Sequence, residues 1–226
     1  LTRNGAPCGV DNVMITNGSQ QGLDFAGKLL LSPGDRAMVE VPSFIGALRA
    51  FDAYQPEYVG LPEDSSAWDA TNLGGAKFCY VGPDFRNPTG TTMTRVERER
   101  LLDLSDATGM PIVEDSCYDR LRYDGESYTH IRASGLPDAQ CVTIMGPSKT
   151  ESLSGYRLGV AFGAPAIVDR MEKLQAIVSL RAAGYNQAVL RSWFAEPAGW
   201  MEQRVSEHQR IRDELLAIFA AAGFAT

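Results

Sequence analysis

The chain has 226 residues and a net charge of −7, from 21 Lys and Arg against 28 Asp and Glu, so a nucleic-acid partner has no global electrostatic support. No apolar run approaches the length a membrane span needs, and any bound anion must be held by a local cluster. Two histidines, His130 and His208, leave no material for a His-based metal site or a Ser-His-Asp triad, while four cysteines without CxxC pairing read as reduced thiols of a cytoplasmic protein.

The opening, Leu1 to Asp11, is too short and polar to form a unit, and the chain reads as starting mid-protein. Val13 to Thr16 is expected as a buried strand and Gln20 to Leu31 as a helix with Leu23, Gly27, Leu30 and Leu31 on one face. Gly18 and Ser19 lie at its N-terminus, where unpaired amides and the positive end of the helix dipole suit a phosphate or serve simply as an N-cap. The turn Ser32-Pro33-Gly34-Asp35 leads to a strand from Arg36 to Val41, a helix from Ile45 to Tyr54 and a strand from Glu57 to Leu61. That alternation argues for a parallel sheet with right-handed crossovers.

The segment from Pro62 to Gly75 is polar and turn-like, and Lys77 to Val81 is a strand leading into Arg86-Asn87-Pro88-Thr89-Gly90. Proline fixes φ and Gly90 lets the chain reverse, which can hold Asn87 rigidly over the edge of the sheet. Thr94-x-x-Glu97 is a capping box for a helix to Thr108, with Val96, Leu101, Leu102 and Leu104 as its apolar surface and Gly109 as its stop. Pro111 to Glu114 is the next strand, with Asp115 at its end and Tyr118 three residues later. Asp119 to Asp138 reads as a charged loop. Beyond the last strand, Leu158 to Gly163, two long helices are expected, Ala164 to Glu196, with Gly184 as a candidate break, and Gly199 to Ala222. No linker rich in Gly, Ser or Pro divides the chain, so one domain is expected.

These elements are organised around Ser148-Lys149-Thr150-Glu151-Ser152-Leu153-Ser154-Gly155-Tyr156-Arg157, which follows the apolar run Val142 to Met145. A lysine beside a second cation and out of bulk water loses part of its preference for the protonated form, and the free amine attacks carbonyls. A surface loop lysine is the plain alternative for this stretch by itself. Three further strand-end loops carry chemistry, at Asn17-Gly18-Ser19, at Arg86-Asn87 and at Asp115 to Tyr118.

In order and spacing the four loops resemble the class I/II aminotransferases of the pyridoxal-phosphate (PLP) superfamily, from about Asn12 to about Gln187. The resemblance implies an α/β fold with a mostly parallel central sheet flanked by helices. Residues 1–226 are then expected to be the PLP-binding large domain of a fold type I enzyme, without the family's N-terminal arm and C-terminal small domain. It further implies that Lys149 forms the Schiff base with PLP and moves the proton, that Asp115 pairs with the pyridine nitrogen, and that Asn87 and Tyr118 bond the phenolate oxygen. Phe44 would stack on the ring, where tyrosine is common, and Ser19, Gln20, Ser148 and Arg157 would hold the phosphate. Gly146 departs from the family's hydroxyl three residues before the lysine.

The implied activity is transfer of an amino group from an amino acid to a 2-oxo acid by a cytoplasmic homodimer. Two other readings use the same residues: a PLP-dependent lyase performing β-elimination, and a non-catalytic PLP-binding sensor domain. The scarcity of histidine and the phenylalanine at position 44 leave no dedicated acid for a β-leaving group, which favours transamination.

Overall fold

The computed structural model describes residues 8–128, 130–131 and 140–225; part of the expected loop from Asp119 to Asp138, and most of the opening segment, lie outside them. Among the described residues seven strands form one sheet: β1 (Val13–Thr16), β2 (Arg36–Val39), β3 (Glu57–Gly60), β4 (Ala76–Val81), β5 (Ile112–Asp115), β6 (Cys141–Met145) and β7 (Gly159–Gly163). Their order is β1-β7-β6-β5-β4-β2-β3. The β3, β2, β4, β5 and β6 pairings are parallel, and β7 runs antiparallel to both its neighbours, so the sheet is mostly parallel as expected.

A sheet covered on both faces needs apolar side chains on both sides of each strand. In β4, Phe78 and Tyr80 point into one core with Phe25, Phe51 and Met171. Cys79 and Val81 point into the other, with Leu101, Leu102, Leu104 and Ile112. The first layer is made by α1 (Ser19–Leu30), α2 (Ile45–Asp52) and α6 (Pro165–Val178), and the second by α4 (Arg95–Thr108). The capping box at the start of α4 forms as the sequence indicated, and Gly109 closes the helix in the left-handed conformation. Val96 is exposed rather than part of the apolar face. The short helix α3 (Ala70–Leu73) occupies part of the stretch expected to be turn alone.

The helix expected from Ala164 to Glu196 is two helices, α6 and α7 (Gly184–Trp193). The break falls before Gly184: Leu180 takes φ of 60°, the left-handed conformation that ends helices, and Gly184 opens the next one. After α5 (Pro147–Thr150), discussed below, the last element is α8 (Trp200–Ala221), close to its expected bounds. No described helix is long and apolar enough to cross a membrane.

Phe51 is fully buried, with its ring 5.0 Å from Phe78 and 5.6 Å from Tyr80. Phe51→Ala should cost about 3–5 kcal/mol of unfolding free energy in a urea titration, from lost transfer energy and an unfilled cavity. An unchanged midpoint would contradict this packing.

Candidate active site

In an open α/β sheet, ligands sit beyond the carboxyl ends of the strands. The C-termini of β1, β4, β5 and β6 lie at one edge here, because β1 is antiparallel to β7 and β7 to β6. Six of the nine residues singled out in the sequence, Ser19, Phe44, Asn87, Asp115, Tyr118 and Lys149, line one pocket at that edge.

Asp115 is the last residue of β5. Its Oδ2 accepts a hydrogen bond of 2.9 Å from the Tyr80 hydroxyl, and its Oδ1 is buried with no hydrogen-bond partner. Burial raises the Asp115 pKa, opposed by the neighbouring Cys117 thiol and the Tyr80 hydroxyl and reinforced by the charge of Glu114. Burial likewise pushes up Tyr118, with Asn87 as a hydrogen-bonding partner that pulls the other way.

The pleat sends the neighbouring Glu114 to the opposite side of the sheet. There it is fully buried; Oε2 accepts from Thr143 Oγ1 at 2.7 Å and from the Ile131 amide at 3.2 Å, and Oε1 lies 3.1 Å from His130 Nδ1. Asp119 Oδ2 lies 3.8 Å from the other ring nitrogen. Burial alone would raise Glu114, yet His130, Thr143 and Arg98 together hold it below its usual range. Burial alone would lower His130, and Glu114 with Asp119 outweigh it and raise it.

Lys149 sits on α5, a single helical turn capped by Gly146, rather than in a loop, and it is exposed. The expectation that it is out of bulk water is therefore not met in this chain. The turn beneath it is tied down by distant helices. Arg204 on α8 donates to the Thr150 carbonyl and, at 2.5 Å, to Ser152 Oγ, while Arg120 joins Glu151 at 2.6 Å to Glu196 at 3.0 Å. Ser148 lies half-buried on the same turn, outside the pocket lining. Gly146 has a steric reason for lacking a hydroxyl-bearing side chain: a Cβ there would lie 2.9 Å from the Leu158 carbonyl oxygen.

Beside the pocket, Gly18 takes φ of 81°, and a Cβ on it would lie 2.6 Å from Arg157 Nη2. A Cβ on Gly159 would lie 2.8 Å from the Ser19 amide nitrogen. Two glycines thus let a guanidinium and the start of α1 come together, an arrangement suited to an anion. Gln20 is at the same helix start, but its side chain donates to the Gly46 carbonyl at 2.7 Å, which leaves its backbone amide as what it offers an anion.

Sequence reading did not assign Glu40, Tyr80, Gly82, Asp84, Arg86 or Cys117, which also line the pocket. Arg86 and Cys117 lie inside the quoted motifs, whereas Glu40 and Tyr80 carry no local signal beyond a polar group near a strand end. Glu40 is lifted to about 7 by burial, against the opposing pull of Arg86 and the Gly82 amide.

A seven-stranded, mostly parallel sheet with a lysine and a half-buried carboxylate in one pocket at its carboxyl edge, and an anion corner beside it, places the chain in the α/β class with its candidate site at the strand ends. The description "Aminotransferase class I and II" matches residues 2–226, and the chain belongs to that family. A solved aspartate aminotransferase from Rhodobacter sphaeroides is 43% identical, with a TM-score of 0.86 over 97% of this chain and 59% of its own. A kynurenine aminotransferase from Pyrococcus horikoshii, solved in complex with PMP, is 31% identical with a TM-score of 0.82, over 97% of this chain and 57% of its own. The aromatic-amino-acid aminotransferase 1 of Thermococcus litoralis is 31% identical over 86% of this chain and 48% of its own length. The chain spans about half the length of the curated relatives it matches.

The Glu114–His130 pair has a signed pH dependence. A lowered carboxyl contributes stability above its unfolded value of about 4.3 and loses it as pH falls, whereas a raised histidine contributes below about 6.5 and loses it as pH rises. The unfolding free energy of wild type minus that of His130→Gln should therefore be largest between those values and shrink on both sides. A difference independent of pH would show that the pair is not ionised.

Proposed function

We propose that the chain is the cofactor-binding large domain, residues 1–226, of a PLP-dependent aminotransferase that moves an amino group from an amino acid to a 2-oxo acid and works as a homodimer. The observation that carries this reading is the partnerless, buried Oδ1 of Asp115 in the same pocket as Lys149. A buried carboxylate oxygen without a partner is costly, and a protonated ring nitrogen is the group that would satisfy it.

The remaining donors fit PLP in kind. Arg157, Ser148 and the amides of Ser19 and Gln20 would hold its phosphate, Asn87 and Tyr118 its phenolate oxygen, and Phe44 a ring face. Lys149 would hold its carbonyl carbon. When bound, PLP supplies an electron sink conjugated with the substrate α-carbon. Lys149 Nζ is the base that takes the α-proton and the acid that returns it. Asp115, already raised by burial, gains the opposite charge that favours its ionised form and so keeps the ring nitrogen protonated.

Elimination would need a separate acid for the leaving group. Among the described residues no histidine lines the pocket: His130 is taken by Glu114, and His208 Nδ1 lies 2.9 Å from the Arg204 carbonyl on α8. That supports transfer, in which Lys149 alone handles the proton.

Borohydride reduction of the PLP-loaded protein, followed by peptide mapping, should leave the pyridoxyl label on Lys149, and a label on another lysine removes it from this role. Given an amino acid without an acceptor, the full-length protein should convert its cofactor to the pyridoxamine form once per site, and a 2-oxo acid should reverse the change. Catalytic release of ammonia without accumulation of that form would replace the transfer reading with a lyase.

A further inference from the structure

The pocket also contains an ion pair that has no part in the chemistry above. Glu40 follows β2, and its side chain is 2% exposed. Its Oε1 lies 2.8 Å from Arg86 Nη2, and its Oε2 accepts the Gly82 amide hydrogen at 2.8 Å. Arg86 immediately precedes Asn87. Its amide donates to the Thr91 carbonyl at 2.8 Å and its carbonyl accepts from the Gly90 amide at 2.6 Å, so it stands at the base of the reverse turn that carries Asn87. Gly82 is the meeting point: a Cβ there would lie 3.8 Å from both Glu40 Oε2 and the Asp115 carbonyl oxygen, and 3.9 Å from Arg86 Cα.

We infer that Glu40 and Arg86 are positioning residues, a clamp that ties the Asn87 turn to the end of β2 and holds Asn87 in register with Asp115. The turn's backbone bonds between residues 86 and 91 are internal to it, so they shape the turn without placing it on the sheet. The hydrogen bond from the Met93 amide to the Pro83 carbonyl, together with Arg98, anchors the flanks of the turn, and the Arg86 side chain adds a tie from its base to Glu40, the residue after β2. The pair is screened little by solvent, and removing either partner strands a charge or a carboxyl in a buried site. Asn87 itself is exposed, so its position relies on the turn and on its hydrogen bond with Tyr118 rather than on packing around its own side chain.

The inference rests on the proposed binding of PLP at this pocket, and its test separates the two. The PLP dissociation constant of the full-length protein is measured by absorbance titration for wild type, Glu40→Gln, Asn87→Ala and the double variant, with thermal melting of each without cofactor. Glutamine keeps the shape of Glu40 and the acceptor for Gly82 but removes the charge that holds Arg86. Glu40→Gln should weaken PLP binding about tenfold, a coupling of ordinary size for residues sharing one network, and should add nothing in the Asn87→Ala background. If Glu40→Gln does not fold, Arg86→Gln takes its place in the same cycle. Losses that multiply in the double variant, or an unchanged dissociation constant in the single one, overturn the clamp while leaving the proposed function intact. Wild-type protein that takes up no PLP overturns both.

Discussion

The end of β5 places two carboxylates side by side, and the sheet keeps them apart by sending them to opposite faces. Glu114 points into the interior, where a hydroxyl, an amide and His130 satisfy it. Asp115 points to the carboxyl edge, where Tyr80 satisfies one oxygen and the other is left open. Two adjacent buried acids sharing one side would repel and take up a proton. Divided by the pleat, one becomes part of the scaffold and the other the acceptor on which the proposed site depends.

The pocket around that acceptor is built from close backbone approaches as much as from side chains. Gly18 and Gly159 let Arg157 and the first amides of α1 share one corner, and the Gly82 amide is the donor that Glu40 accepts. A methyl group at Gly18 or Gly159 would collide with its neighbours, so electrostatics and packing impose the same requirement at these positions. The anion corner therefore forms where the connection leaving β1 meets the connection entering β7.

Lys149 is held differently. It rides on one helical turn, too short to be stable by itself, whose Thr150 carbonyl is fastened by Arg204, and the residues just after it, Glu151 and Ser152, are held by Arg120 and Arg204. Arg204 belongs to α8 and Glu196, the other partner of Arg120, to the segment before it. The lysine's mounting thus depends on residues far along the chain, while the side chain stays free to reach solvent or a ligand.

Local sequence determined a good deal. The capping box Thr94-x-x-Glu97, the glycine stop at Gly109, the apolar runs of β4 to β6 and the chemically loaded residues at their ends were all legible, because each rests on interactions spanning a few residues. Position by position, six of the nine candidate residues could be foreseen to share a pocket once the strand-end pattern was seen. Tertiary structure decided the rest. Glu40 and Tyr80 enter the pocket only because β2, β4 and β5 are neighbours in the sheet, and no short-range pattern encodes that adjacency. The split between α6 and α7 turns on Leu180 adopting a left-handed backbone that its residue type does not favour, and the exposure of Lys149 depends on what surrounds the end of β6. Short-range patterns fix the conformation of a segment; which segments adjoin, and which charges are buried, is settled by pairings between residues distant in the chain.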